Sequence, residues 1–586
     1  MKLLLTAVNA KYIHSNPAIY CLQSYAAKYK DHIELAEYTI NQSLDNILRS
    51  IYEIHPEVLA LSCYIWNMEM VEQIIREYKK LDPNVDIWVG GPEVSYDAVA
   101  CLTRLPELTG VMIGEGEQTF LELMELYVTR EDARHRFGEI KGIAYRDCNE
   151  EIQYTNIREA VDFSRLPFLY KFASDLDTFE HRIIYYETSR GCPFSCSYCL
   201  SSIDKRVRFR DLDLVYQELQ LFLDKKVPQV KFIDRTFNCN RKHAMGIWQY
   251  IKEHDNGITN FHFEIAADLL NEEELDFLAT LRPGLVQLEI GVQSTNPETI
   301  KAIHRHMDLE KVAYNVARVK EKRNIHQHLD LIAGLPFEDY KSFQRSFDDV
   351  YAMRPDQLQL GFLKVLKGSL MGEYCKEYSI VYHGEPPYEV FHTKWLPYSD
   401  VCKLKDLEEM VEVYYNSGQF AYSIRYLEHF FESNFSLYEA LATYYRENGL
   451  FNCSQSRLKR YMILLEFTKA LKLKSEEIEV LTELMTLDLY LREKLKSRPA
   501  FTKAYEDYKS DYKAFLTNHA SEYGFGDRVH IEHFTYDLFA AANEGIVKKK
   551  DFFILFDYSK EKSIFDECSY SLLEKQDSKL IVVENI

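Results

Sequence analysis

The chain has 586 residues and a mass of 69.1 kDa, more than one hydrophobic core can organise, so roughly two to four domains are expected. Hydrophobic residues make up 46% and charged residues 27%, the mix of an ordinary soluble protein, while a net charge of −21 argues against broad electrostatic binding of nucleic acid. Twelve cysteines without regular spacing argue against a disulfide framework and for a reducing, cytoplasmic setting.

The start, MKLLLTAVNAKYIHS, reads as a first buried strand and not as a signal peptide, since no small-residue cleavage site follows. Apolar runs then alternate with helical patterns: LLLTAV (3–8), HIELAEYTI (32–40), VLALSCYI (58–65), DIWVGG (86–91) and GVMIG (110–114). Strand–helix alternation predicts a mostly parallel, doubly wound sheet over residues 1–135. Ligands of such sheets bind beyond the strand carboxyl ends, here the loops Asn9–Asn16, Ser62–Asn67, Gly90–Tyr96 and Gly114–Gln118. Residues 136–180 lack strong periodicity and read as a small hairpin with a linker.

A second α/β series occupies 181–395, with apolar runs at 182–188, 230–234, 261–267, 285–294, 328–334 and 358–366. These six runs fit a partial (β/α) barrel, whose strand C-termini carry the chemistry. Residues 396–586 read as a mostly helical domain; near its end HIEHFTYDLF and FFILFDYS look more like strands. No run of about 18 apolar residues predicts a membrane span.

Directly after the first run of the second series stands Arg190-Gly-Cys-Pro-Phe-Ser-Cys-Ser-Tyr-Cys199, which places Cys192, Cys196 and Cys199 on one short loop. Soft thiolates select zinc, copper(I) or iron–sulfur clusters. A structural zinc site wants a fourth nearby ligand, and the next cysteine is Cys239. Three thiolates also suit a [4Fe–4S] cluster with one iron left open. Lys205, Arg206, Arg208 and Arg210 follow as a local basic cluster, either a binding site or a solvated loop.

The cysteine spacing, its place after the first barrel run and the aromatic Tyr198 resemble the radical S-adenosylmethionine (SAM) superfamily. That resemblance implies a [4Fe–4S] cluster on the three cysteines, SAM chelated at the open iron, and reductive cleavage to a 5′-deoxyadenosyl radical. It also implies contacts to SAM: Asp234 of Phe232-Ile-Asp-Arg-Thr-Phe-Asn238 to the methionine amine, Glu264 in the cofactor pocket, Gln293 and Ser294 near the ribose, and Ala333 beside the adenine, with Tyr198 at the cluster. Phe337 stands where the family often has glycine.

Val89-Gly-Gly-Pro-Glu93 and Val111-Met-Ile-Gly-Glu-Gly-Glu117, upstream of the cysteines, resemble the cobalamin-binding domain of the B12-dependent radical group. The contacts implied to the corrinoid are Asn9, Ser62, Tyr64, Gly90, Gly91, Gly114, Glu115 and Gly116. The cobalamin-ligating Asp-x-His-x-x-Gly pattern is absent; Cys63 is a possible cobalt ligand but reads better as a buried strand-end residue. Asn-Ala-Lys-Tyr-Ile-His14 and the helical end resemble one branch that carries an uncharacterised C-terminal domain.

The resemblance implies a methyltransferase acting on an unactivated carbon of a small molecule, supplied with electrons by a flavodoxin or ferredoxin. The alternatives are a radical rearrangement or cyclisation without methyl transfer, a thiol-radical reaction using Cys239 or Cys375, or an iron–sulfur sensor or electron carrier.

Overall fold

The computed structural model describes residues 1–129, 133–172, 182–503, 508–519, 528–560, 562–576 and 579–585. The last part of the expected linker, 173–181, lies outside them.

The N-terminal strand Leu3–Asn9 is buried along its whole length, as a parallel strand covered on both faces must be. It pairs in parallel with Ile33–Thr39 on one side and Val58–Ser62 on the other, and Asp86–Gly90 and Gly110–Met112 continue the sheet. The chain crosses from one edge to the other after the second strand, which opens a crevice at the carboxyl ends of the strands. One face, including Leu4, Leu61 and Val89, packs on the helices Leu44–Ile54 and Met68–Leu81. The other, including Leu5, Ala60 and Met112, packs on Pro17–Tyr25 and Glu117–Thr129. The hairpin Ile143–Arg146/Ile152–Tyr154 lies in the segment read as a small hairpin with a linker, and it adds antiparallel to the Gly110–Met112 edge, so the sheet runs on past residue 135.

Six parallel strands build the second unit in sequential order: Ile183–Tyr186, Gln229–Phe232, Asn260–Ile265, Val286–Gln293, His326–Ala333 and Gln357–Phe362. Such a sheet is an open partial barrel with two unpaired edges. Both are covered. On the first strand Ile183 N donates to Ile13 O (2.6 Å), and Ser15 N donates to Ile183 O (3.4 Å), so the loop after the first N-terminal strand caps this edge. On the sixth, Asn416 accepts from Leu358 N (2.9 Å) and donates to Leu358 O (2.8 Å). Edge pairing is thereby satisfied within the chain.

The C-terminal unit begins as helices (Tyr398–Val411, Ala421–Leu427, Asn434–Glu447, Arg457–Ala470 and Ser475–Arg492) whose core is continuous with that of the barrel. Glu428 accepts from Tyr351 and pairs with Arg354 across this join. The helices are followed by a four-stranded antiparallel sheet, Val529–Tyr536, Lys549–Asp557, Ser569–Gln576 and Lys579–Asn585, twice the strand content that the apolar runs suggested. No helix among the described residues is long and apolar enough to cross a membrane.

Candidate functional site

The cysteine loop hangs from a two-residue ribbon in which Ser189–Arg190 pairs with Arg208–Phe209. Gly191 follows at φ +93°, and a Cβ there would lie 2.5 Å from Arg206 O, so only glycine lets the chain turn into the loop. Cys192 N donates to Asp204 O (3.0 Å), and Ser202 Oγ donates to the carbonyls of Cys196 and Cys199 (2.9 and 2.7 Å). Cys192 and Cys196 are buried, Cys199 is half-buried, and all three are free thiols. Among the described residues no three His, Cys, Asp or Glu side chains form a ready-made metal cage. Arg305, from the loop after the fourth barrel strand, donates to Cys196 Sγ (3.7 Å) and Tyr198 Oη (3.4 Å) and also reaches Gly291 O. A fixed cation beside Cys196 suits a thiolate. Replacing Gly191 by alanine is expected to cost about 1–3 kcal/mol locally, seen as lost iron after reconstitution with an unchanged far-ultraviolet circular dichroism spectrum.

The residues assigned to SAM do not all face one space. Asp234 is 1% exposed, and its carboxylate accepts from Thr188 N (3.0 Å), Thr188 Oγ1 (2.7 Å) and Ser189 Oγ (2.6 Å). It braces the root of the cysteine loop. Ser294 is fully buried and donates to Glu338 Oε1 (2.8 Å), so it too is occupied within the protein. Ala333 is buried in the fifth strand opposite Phe362 and offers only its backbone. Gln293 sits at φ +73°, and its Oε1 is buried without a hydrogen-bond partner. Phe337 adopts φ +62°, the conformation that makes glycine common at this place, and its ring packs 4.4 Å from that of Trp395.

Glu264 is half-buried at the barrel mouth. Burial pushes its carboxyl up to about 7, against the pull of Arg235 and Lys231. Below it the inner face of the barrel is polar: Glu289 accepts from Lys231 (2.9 Å) and meets His262 (2.9 Å), while His328 lies 3.0 Å from Asp330. Because the Glu264 pKa in the folded chain exceeds its usual 4.5, its contribution is favourable at low pH and is lost as pH rises through about 7. Glu264→Gln is therefore expected to stabilise the protein at pH 8 by up to about 3 kcal/mol and to leave it unchanged near pH 4.5, read as the difference in thermal midpoints.

A cavity of about 310 Å³ opens at the carboxyl ends of the N-terminal strands. Ser62, Tyr64, Gly90, Gly91, Gly114, Glu115 and Gly116 all line it, and its far wall is Glu187, Arg190 and Ile233 of the barrel. Asn9 is not among the residues that line this cavity: its side chain donates to His14 O and Glu37 and holds the loop that caps the barrel edge. Gly114, at φ +77°, faces open space, whereas Gly91 is demanded by its own chain, since a Cβ would meet Cys63 O at 2.4 Å. Cys63 is fully buried, with its thiol directed to Leu61 O, and does not line the cavity. Tyr64 stacks on Trp66 with ring centres 4.4 Å apart. Asn67, which sequence reasoning passed over, shapes this loop by accepting from Tyr64 N and donating to Val8 O and Ser62 O.

The Gly-Glu-Gly-Glu loop does more than edge the cavity. Glu115 accepts from Val161 N (2.8 Å) and pairs with Arg208; Arg190 pairs with Glu117 (2.7 Å) and Glu187 (2.9 Å) and lies 3.6 Å from Glu115. Burial works against ionisation of Glu115, but the hydrogen bond from Arg208 and the charge of Arg190 hold its carboxyl below the usual range. Arg190, two residues before Cys192, thus ties the cysteine loop to the N-terminal sheet.

Residues 3–124 match the B12 binding domain, 186–350 the radical SAM superfamily, and 376–556 a protein family of unknown function, DUF4080. The chain thus joins a B12 binding domain to a radical SAM domain, the combination that supports the expected cobalamin-binding radical S-adenosylmethionine family. This radical SAM protein is 24% identical over 344 residues to an uncharacterized methyltransferase of Pyrococcus horikoshii, covering 57% of this chain and 72% of that one. It is 25% identical over 316 residues to the 2-(S-pantetheinyl)-carbapenam-3-carboxylate methyltransferase of Streptantibioticus cattleyicolor, covering 49% of this chain and 44% of that enzyme, less than half its length. In fold it resembles the cobalamin-dependent SAM radical enzyme OxsB, solved with aqua-cobalamin and SAM bound: TM-score 0.58, 15% identity, 90% of this chain and 82% of the other.

The family's cofactors are a [4Fe–4S] cluster, SAM and cobalamin, and the residues present fit them. Three free thiols share one braced loop beside a buried guanidinium, Gln293 keeps a buried acceptor open among the described residues, and four glycines, Gly90, Gly91, Gly114 and Gly116, line the strand-end side of the cavity.

Proposed function

We propose that the chain is a cobalamin-dependent radical methyltransferase acting on an unactivated carbon of a small molecule. The observation that carries the reading is the shared cavity: the strand ends of the B12 domain and Glu187, Arg190 and Ile233 of the barrel enclose one space, and Arg190 is two residues from the first cluster cysteine. When bound, the cluster supplies the electron that cleaves SAM to a 5′-deoxyadenosyl radical, and the corrinoid supplies the methyl group. Cys192, Cys196 and Cys199 hold the cluster, with Arg305 balancing thiolate charge at Cys196. Gln293 Oε1 accepts from the SAM ribose, and Glu264 takes the positive end of the methionine moiety. Ser62, Tyr64, Gly90, Gly91, Gly114 and Gly116 wall the corrinoid, while the stacked Tyr64–Trp66 pair restricts water.

The polar barrel interior, with Lys231, His262, Glu289, His328 and Asp330, favours a substrate rich in hydrogen-bonding groups over a hydrocarbon. Of the basic cluster after the cysteines, Arg208 and Arg210 are paired with Glu115 and Glu218, which leaves too few free cations for a nucleic-acid track. Cys375 donates to Met371 O and packs against the core, which favours a bystander over a radical thiol.

The test is anaerobic incubation of the reconstituted protein with SAM, cobalamin and a strong reductant. Both 5′-deoxyadenosine and S-adenosylhomocysteine are expected. The nucleoside alone would favour rearrangement or cyclisation without methyl transfer. Neither product, with the cluster intact, would overturn the enzyme reading.

A further inference from the structure

A radical initiator needs one electron per cleavage, delivered to the cluster that the cysteine loop would hold. The segment from Leu200 to Arg206 folds back onto that loop: Asp204 O accepts from Cys192 N, Arg206 O packs over Gly191, and Ser202 holds the carbonyls of Cys196 and Cys199. Its outer face is unlike the rest of this neighbourhood. Arg190, Arg208, Arg210 and Arg305 are all engaged by partners within the chain. Lys205 and Arg206 are exposed, and their side chains make no hydrogen bond or ion pair among the described residues. Beside them Ile203 stands 48% exposed.

We propose that Ile203, Lys205 and Arg206 form the docking face for a small acidic one-electron carrier protein, of the flavodoxin or ferredoxin kind, that reduces the cluster. The inference rests on the radical SAM reading of the cysteine loop. A chain of net charge −21 repels an acidic carrier over most of its surface, so productive encounter needs a local attractive patch. Here two unpaired cations follow one exposed apolar side chain, in the segment whose Asp204 O accepts from Cys192 N. One electron passes from the reduced carrier to the cluster; the carrier is oxidised by one electron, and no proton or group moves with it.

The test compares the wild type with Lys205→Glu/Arg206→Glu in the full reconstituted chain. Formation of 5′-deoxyadenosine is measured twice, once with flavodoxin reduced by its reductase and once with dithionite. The carrier-driven rate is expected to fall about tenfold or more, with iron content and the dithionite-driven rate unchanged. Calorimetric titration with oxidised flavodoxin is expected to show the same weakening, and Lys205→Arg/Arg206→Lys to restore both. Equal loss with both reductants, or unchanged flavodoxin binding and rate, would overturn the docking assignment. No nucleoside from the wild type with dithionite would instead overturn the radical reading on which it rests.

Discussion

Cys196→Ala abolishes iron binding and, with it, all formation of 5′-deoxyadenosine, while the N-terminal sheet keeps its fold. The expected effect is total, because a three-thiolate site that loses one ligand no longer meets the coordination a cluster requires. Cys196 is also the cysteine that Arg305 contacts, so its loss leaves that buried guanidinium with only Tyr198 and Gly291 O. Iron analysis after anaerobic reconstitution, paired with a circular dichroism melt, separates a missing ligand from a misfolded chain. A variant retaining wild-type iron and nucleoside formation would remove the cluster from this loop.

Arg190→Met carries the second large effect, at the join between the two sheets. Arg190 faces Glu117 and Glu187, and Glu117 is almost fully enclosed. Removing the cation leaves buried carboxylates unpaired, a loss of about 3–5 kcal/mol for a broken buried pair. Two readouts follow: a lower thermal midpoint, and faster loss of corrinoid on gel filtration, since the same residues wall the cavity. The deficit shrinks as pH is lowered, because burial already pushes the Glu187 carboxyl up and its protonation removes uncompensated charge. Arg190→Lys restores part of the stability, with one cation but without the planar fork that reaches two carboxylates.

The N-terminal unit was legible because its central parallel strands, buried on both faces, leave continuous apolar runs, and the barrel because its strands alternate buried and half-buried residues; all eleven runs correspond to strands. The cysteine loop was legible because its ligands are neighbours in sequence. Contacts that depend on where a side chain points were not. Asp234 and Ser294 carry the right chemistry at strand ends, yet both turn toward protein donors and acceptors at Thr188, Ser189 and Glu338. Arg305 lies 109 residues from the cysteine it contacts, and nothing in its local pattern points there. Glu115 belongs to a motif that reads as cofactor-binding, but its partners, Arg208 and Arg190, sit in another domain. In the C-terminal sheet, Ser569–Gln576 mixes polar and apolar residues without a strong run and acquires its identity by pairing, whereas Lys579–Asn585 carries the short apolar run Leu580–Val583.

The central claim is that one chain brings a cluster and a corrinoid to a shared cavity. Quantifying iron, acid-labile sulfide and corrinoid after anaerobic reconstitution with cobalamin tests it most directly. The account predicts about four irons and about one corrinoid per chain, the iron lost in Cys196→Ala and the corrinoid retained there. Iron without bound corrinoid in the wild type, or corrinoid binding unaffected by Arg190→Met, would contradict it.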